Sequence, residues 1–366
     1  MLLPLLMVAL VAFVNGANDN FKGVASLWGS RTLGYRAALA WATATVLAGS
    51  IASLFLATTL AVRFTGKGLV PDALVGQPLL LTSVGIAAGV TVLLASRFGF
   101  PISTTHALLG GLIGAGIGDA GLAAIRFRAL GKTFLLPLLL SPLLAGAAAA
   151  LVYAPIRAWR KKAALDEDSC LCVGESPVAL AGEAAITMQS VGIPVVQIGR
   201  SDACAAAGMP EAGTIRIRSA LDAFHLMASG CVGFFRGMND TPKIAALLVV
   251  APMIGGPRGV ALVAAVMAIG GLAGSRRVAD TLSWNITELN AGQATVAATV
   301  TAGLVAAASS LGLPVSTTHV ACGALFGIGS LSGTARWGTI RAILLAWCVT
   351  LPVAALLGYA AASILR

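Results

Sequence analysis

Asn15-Gly16-Ala17-Asn18-Asp19-Asn20-Phe21-Lys22 interrupts an apolar run near the start of the chain, and Arg236-Gly237-Met238-Asn239-Asp240-Thr241-Pro242-Lys243 interrupts another in the second half. A second motif is duplicated in the same order. Pro101-Ile102-Ser103-Thr104-Thr105-His106 leads into glycine-rich apolar sequence, and so does Pro314-Val315-Ser316-Thr317-Thr318-His319. Asp19 lies 82 residues before Pro101, and Asp240 lies 74 before Pro314. Two motifs in one order at similar spacing mark two copies of one structural unit.

Composition sets the solvent of that unit. Of 366 residues, 58% are hydrophobic and 10% charged, where soluble domains run near a quarter charged. This argues against a water-soluble enzyme or a nucleic-acid binder. The net charge of +10 reads instead as Lys and Arg flanking membrane spans on the cytoplasmic side. Candidate spans are 2–30 (broken), 35–62, 78–98, 101–118 and 132–155, then 219–251 (broken), 258–275, 291–312, 314–331 and 337–364. The expected fold is an all-α polytopic membrane protein. It has two inverted-topology repeats with broken helices and proline-initiated half-helices, about 10–12 transmembrane segments in all. Residues 1–155 form the first membrane repeat, 156–218 a central loop or small subdomain, and 219–366 the second repeat. An odd number of crossings in each half makes the repeats inverted. The stretch 276–290 reads as an interfacial helix with a polar face.

The central stretch holds seven acidic and seven basic residues, so the whole excess charge belongs to the membrane part. Basic residues at both edges place this loop in the cytoplasm and both termini outside. Arg63, Lys67, Arg126, Arg128 and Lys132 fall outside on that scheme and count against it. Within the loop, 193–199 and 213–219 carry β-branched residues bounded by glycine, as short strands do; a solvated linker is the alternative. Cys170-x-Cys172 with a distant Cys204 is a weak metal pattern, and free cytosolic thiols are the commoner reading. Met1 to Val14 lacks a basic leading segment and runs into Asn-Gly-Ala-Asn-Asp, which makes it the first half of an interrupted span, not a signal peptide.

The motifs carry one consistent chemistry. Glycine with Asn-Asp inside an apolar helix breaks the hydrogen-bond ladder, because Asn and Asp compete with the backbone. At membrane depth such a break survives only where it lines a cavity or is buried in protein. It exposes carbonyls, which suit a cation, and amide N–H groups, which suit an oxyanion. Pro-x-Ser-Thr-Thr starts a helix with three hydroxyls in its first turn, an oxyanion cradle supplied once by each half. Asn18, Asp19, Asn239 and Asp240 with Ser103, Thr104, Thr105, Ser316, Thr317 and Thr318 are thus the candidate substrate-binding residues. Asp19, Asp240 and carbonyls near them are candidate ligands for a cation, and no other cofactor is called for. His106 and His319 either carry a proton or orient the loop by hydrogen bonds. His225 has no counterpart and is structural. Asp222 and Arg236 lie near an interface or pair with other groups.

At these residues the sequence resembles the PiT family of inorganic phosphate transporters, in both halves. Gly-Ala-Asn-Asp, the two Pro-x-Ser-Thr-Thr-His segments and Ile286-Thr287-Glu288-Leu289 carry the resemblance, which leaves out the central loop. It implies a symporter that moves inorganic phosphate across the cytoplasmic membrane with Na⁺ or H⁺ by alternating access, both termini outside, as a homodimer. It implies no nucleic-acid partner and no enzymatic activity.

One departure from the family pattern occurs twice. The position three after each aspartate, usually asparagine in this family, is Lys22 or Lys243. A lysine at i+3 shares a helical face with the aspartate. Either it neutralises that carboxylate or snorkels to an interface, or it belongs to the binding site; its duplication beside the break favours the site. There the lysines would supply fixed positive charge, favour an anion and lessen dependence on Na⁺. They also open the substrate question. Protonated phosphate can donate to a carboxylate and sulfate at neutral pH cannot, so the retained aspartates favour phosphate, with sulfate the alternative oxyanion. An intramembrane enzyme, an anion channel and a binding-only sensor are the readings from other classes. None has a supporting motif beyond the same polar pairs.

Overall fold

Apolar runs of about 20 residues without internal charge can satisfy their backbone groups in lipid only as helices, and helices dominate the computed structural model. It describes residues 2–56, 58–162, 169–177, 192–200, 214–250 and 256–366. They fall into two compact units, Met1–Tyr153 with His225–Arg366, and Ala154–Phe224.

The helices of the first copy are α1 (Leu2–Asp19), α2 (Ala25–Gly29), α3 (Tyr35–Leu56), α4 (Thr58–Phe64), α5 (Pro78–Arg97), α6 (Thr104–Ala120) and α7 (Leu136–Lys162). Those of the second are α8 (Ile217–Ala245), α9 (Pro257–Gly274), α10 (Arg276–Asp280), α11 (Ala291–Ser310), α12 (Thr317–Ser332) and α13 (Trp337–Leu365). Seven segments among the described residues are long and apolar enough to cross a membrane, so the chain is a multi-pass membrane protein. At 17 and 16 residues, α6 and α12 are shorter than a full crossing. On α7 the leucines at 139, 143 and 151 are exposed while Leu138, Ser141, Ala145 and Ala149 are buried, which gives one face to lipid and one to the bundle. The segment after α9 runs through α10 and a short π-helix, Thr281–Asn285. Arg276 and Arg277 face out there, while Val278, Ala279 and Leu282 are buried.

The Asn-Asp motifs behave differently in the two copies. In the first, α1 ends at Asp19 and residues 20–24 form turns before α2. In the second, α8 runs through Asp240 and Pro242 to Ala245 and only then tightens into a 3₁₀ segment, Ala246–Val250. The expected break after Asp240 is therefore displaced past Lys243. Proline keeps a helical φ and costs the ladder one donor, and here that loss does not stop the helix.

The two copies interlock through equivalent contacts. A Cβ placed on Gly16 of α1 would lie 1.9 Å from the Met267 carbonyl oxygen of α9, and one on Gly237 of α8 would lie 2.1 Å from the Val46 carbonyl oxygen of α3. These are the same pair of positions with the copies exchanged. Likewise, a Cβ on Gly114 of α6 would meet the Ala355 carbonyl of α13 at 1.8 Å, and one on Gly327 of α12 would meet the Gly146 carbonyl of α7 at 2.1 Å. Only glycine permits such backbone approach. Each copy thus packs its motif helices on the other copy in a reciprocal manner.

The second unit contains a three-stranded antiparallel sheet: β1 (Ser169–Pro177), β2 (Gly192–Arg200) and β3 (Thr214–Arg216), in the order β2-β1-β3. Ser169 pairs with Arg200 and Cys170 with Arg216. Of the β-branched stretches expected as strands, 193–199 lies within β2, whereas in 213–219 only Thr214–Arg216 is strand and the residues from Ile217 open α8. The central strand, which carries Cys170 and Cys172, lacks a β-branched run and was not expected. Cys204 lies outside the described residues.

Candidate functional site

All twelve residues proposed from the motifs come together in the helical unit, and none is more than 5% exposed. Two helix starts frame them. Ser103 caps α6 and Ser316 caps α12, with nearly identical backbone angles (φ −96°, ψ 113° and φ −96°, ψ 114°). Each hydroxyl accepts the amide of the histidine three residues on, at 3.2 Å. Proline two residues earlier keeps the lead-in extended, so the carbonyls of Ile102 and Val315 stay outside any helical ladder.

Those carbonyls turn to the lysines. The ammonium of Lys22 donates to the Ile102 carbonyl at 2.7 Å, to Asn18 Oδ1 at 2.9 Å and to Thr318 Oγ1 at 2.5 Å, and it pairs with Asp19. The ammonium of Lys243 donates to the Val315 carbonyl at 3.1 Å, to Asp240 Oδ1 at 3.2 Å and to Thr105 Oγ1 at 2.9 Å, and it pairs with Asn239. Each lysine therefore gathers an amide, a carboxylate and a carbonyl from its own copy and a hydroxyl from the other. The carbonyls that meet a cation come from the lead-ins at Ile102 and Val315. Those beside Asp19 and Asp240, the expected ones, remain engaged along the chain, as Lys22 N donating to the Asp19 carbonyl at 3.1 Å illustrates.

The remaining motif groups hold this arrangement. Asn18 Nδ2 donates to Ser96 Oγ at 3.0 Å, and its equivalent, Asn239 Nδ2, donates to Ser309 Oγ at 3.1 Å. Thr104 Oγ1 donates to Asp19 Oδ2 at 3.2 Å, and Asn15 Nδ2 donates to both members of that pair. Thr317 is buried at the equivalent place.

Among the charged positions of the motifs, the equivalence fails at one. Asn15 of the first copy aligns with Arg236 of the second, a residue that the sequence placed either near an interface or in a pairing with other groups, and the structure shows the pairing. Arg236 is 1% exposed and sits between the two carboxylates, with Nη2 3.9 Å from Asp19 Oδ2 and Nε 3.5 Å from Asp240 Oδ2. Nη2 reaches Asn15 Oδ1 at 3.4 Å, while Nε and Nη1 have no hydrogen-bond partner among the described residues, and neither has Asp240 Oδ2. Buried donors and acceptors are nearly always satisfied, so unspent ones on both partners single out this corner. The available signals were its position in the repeat and its i−4 spacing from Asp240.

His106 and His319 lie together, ring centroids 4.6 Å apart. His319 Nδ1 is 3.2 Å from the Leu138 carbonyl, and Trp347 stacks on its ring while donating to the Pro101 carbonyl at 2.9 Å. Among the described residues His106 Nδ1 and His319 Nε2 have no hydrogen-bond partner. His225 is buried and bonds Ser26 Oγ at 2.9 Å, in keeping with a structural role. A narrow cleft lined by Ser26, Val232, Ala298, Thr301 and Leu325 reaches Lys22. Among the described residues no cluster of three His, Cys, Asp or Glu side chains could hold a metal ion.

Comparison with known proteins gives a consistent result. The signature of the phosphate transporter family matches residues 15–358. A probable low-affinity inorganic phosphate transporter of Rhizobium meliloti is 28% identical over 369 residues, covering 98% of this chain and 94% of that one. A putative phosphate permease of Thermococcus kodakarensis is 27% identical over 385 residues, covering 95% and 93%. A solved structure described as the sodium-dependent phosphate transporter aligns over 100% of this chain and 99% of that one, with a TM-score of 0.74 and 21% identity. That likeness establishes the shared fold.

Proposed function

The chain belongs to the phosphate transporter family, and from that premise we propose that it is a symporter carrying inorganic phosphate across the cytoplasmic membrane with a cation, Na⁺ or H⁺, by alternating access. The two copies are inverted repeats, the central segment is cytoplasmic and the termini are outside. The protein works as a homodimer, as the family resemblance implies. Substrate binds between the copies, at Asn18, Asp19, Lys22, Ser103, Thr104 and Thr105 and their equivalents Asn239, Asp240, Lys243, Ser316, Thr317 and Thr318, with Arg236 added. Inverted repeats that meet at broken helices near the midplane are the usual architecture for such a site.

One observation carries the choice of substrate. Arg236 has unspent donors and Asp240 Oδ2 is an unspent acceptor in the same buried corner. A partly protonated phosphate offers oxygens to the first and an O–H to the second. Sulfate at neutral pH has no proton to give, and would leave the carboxylate oxygen facing an anion. A second reading retains sulfate, because each aspartate is already paired with a lysine, Lys22 with Asp19 and Lys243 with Asp240.

Uptake of labelled phosphate or sulfate into proteoliposomes, with and without a pH gradient, tests the reading. Saturable phosphate uptake stimulated by phosphate on the far side is expected. Flux without such stimulation would mean a channel, and preferential sulfate uptake would refute the role given to Asp240. His106 and His319, stacked beside the site, are the proposed proton carriers, and a proton-driven uptake should fail in His106→Gln with His319→Gln.

A further inference from the structure

The two lysine ammonium groups occupy positions with the ligand set of a bound monovalent metal ion. Around Lys22 Nζ stand an amide oxygen, a carboxylate oxygen, a backbone carbonyl and a threonine hydroxyl; around Lys243 Nζ stand the same four types from equivalent positions. All eight hydrogen-bond partners are oxygens. Hard cations take such sets, and carbonyls freed beside helix breaks are where transporters of this architecture bind theirs. An ammonium has three N–H groups, yet each here faces four oxygens. The oxygens thus surround the charge as they would an ion. Both rings also draw a hydroxyl from the opposite copy, so the cation at the centre ties the halves together.

We propose that Lys22 and Lys243 are tethered cations that fill the two monovalent-cation positions of the site, so that this protein binds its substrate without Na⁺. The inference rests on the oxyanion-binding reading above. A side chain cannot leave with the substrate, so a sodium gradient cannot be coupled through either position. Proton coupling remains open to the histidine pair. The competing account is that each lysine only neutralises its neighbouring aspartate. Neutralisation needs the carboxylate alone, and does not require a carbonyl, an amide and a hydroxyl from another copy to converge on the same nitrogen.

The test measures Na⁺ binding separately from transport. Purified full-length protein is unfolded thermally in NaCl and in choline chloride at equal ionic strength, and phosphate binding is titrated calorimetrically in both. Wild-type protein should give the same Tm and the same Kd in either salt. Lys22→Asn and Lys243→Asn, tested singly, open an oxygen-lined position and should become sodium-responsive, with Tm higher in NaCl and phosphate Kd at least about tenfold tighter there. A wild-type Kd that tightens about tenfold with Na⁺ overturns the proposal whether or not the variants fold. Folded variants that ignore Na⁺ overturn it as well and leave simple neutralisation. If wild type and variants show the expected Tm pattern but no phosphate binds, the tethered-cation inference stands and the substrate reading fails.

Discussion

Replacing Arg236 by methionine removes the guanidinium and keeps most of the side-chain volume. Two of its nitrogens, Nε and Nη1, have no hydrogen-bond partner among the described residues, and the side chain is 1% exposed. Charge-assisted hydrogen bonds contribute about 1.5–3 kcal/mol each, so two made to a phosphate would contribute about 3–6 kcal/mol, or a factor of about 10² to 10⁴ in Kd. The structural cost should be smaller than for most buried charges. Removing one partner of a buried pair costs about 3–5 kcal/mol when the other is left alone, but Asp19 keeps Lys22 and Asp240 keeps Lys243. Calorimetric titration of phosphate, alongside a melting curve, separates the two effects. Arg236→Met should melt cooperatively with a modestly lower Tm and bind phosphate at least about a hundredfold more weakly. Arg236→Lys restores the charge without the planar fork and should recover only part of the affinity. A folded Arg236→Met protein that binds phosphate within about threefold of wild type would refute the placing of the anion at this corner.

Equivalent positions should respond alike. Ser103→Ala and Ser316→Ala each remove the cap of a helix start with matching geometry and should each cost about 1 kcal/mol in chemical denaturation; a large difference between them would show that the two starts are not equivalent. Gly114→Ala and Gly327→Ala put a Cβ within 1.8 and 2.1 Å of backbone carbonyls on the other copy and should abolish expression of folded protein. Gly303→Ala, with nothing within 4 Å, should be tolerated and add up to about 1 kcal/mol of helix stability. Thr105→Val and Thr318→Val each take one cross-copy hydroxyl from a lysine, and a double-mutant cycle with that lysine should show coupling of about 1 kcal/mol or more in thermal stability.

Much of this was visible in the chain before any coordinates. Length and apolarity identify most spans, because a run of about 20 residues in lipid has few alternatives to a helix. The duplicated Asn-Asp and Ser-Thr-Thr motifs mark the residues that meet, because each is anomalous in an apolar context. Four features were hidden, each for a physical reason. The intact helix through Asp240 depends on tertiary packing overriding a weak local breaker, as propensity arguments allow but do not predict. The reach of Lys22 to Thr318, and of Lys243 to Thr105, crosses between copies, and spacing along one helix reports only on that helix. Arg236 stands outside the shared pattern, so a search for repeated residues passes over it. The strand carrying Cys170 and Cys172 was hidden differently: its residues are mostly small or polar, and pairing on both edges holds it in place without β-branched side chains.

The one motif position that differs in charge between the copies, Asn15 against Arg236, gives the buried cluster its net charge. Lys22 and Asp19 in one copy cancel, as do Lys243 and Asp240 in the other, and strict duplication of any charged motif yields an even excess. With all five groups ionised, Arg236 leaves one positive charge, and it does so beside both carboxylates. The same exchange accounts for the unspent acceptor. In the first copy Asn15 donates its amide to Asp19 Oδ2 and Thr104, which closes that oxygen's hydrogen bonding. In the second copy arginine replaces the amide, and Asp240 Oδ2 is left with an ion pair at 3.5 Å and no hydrogen bond. On the proposed reading, this departure from symmetry would supply both the attraction for an anion and the acceptor for its proton, with the two halves as walls and the asymmetric arginine setting a preference for a partly protonated oxyanion.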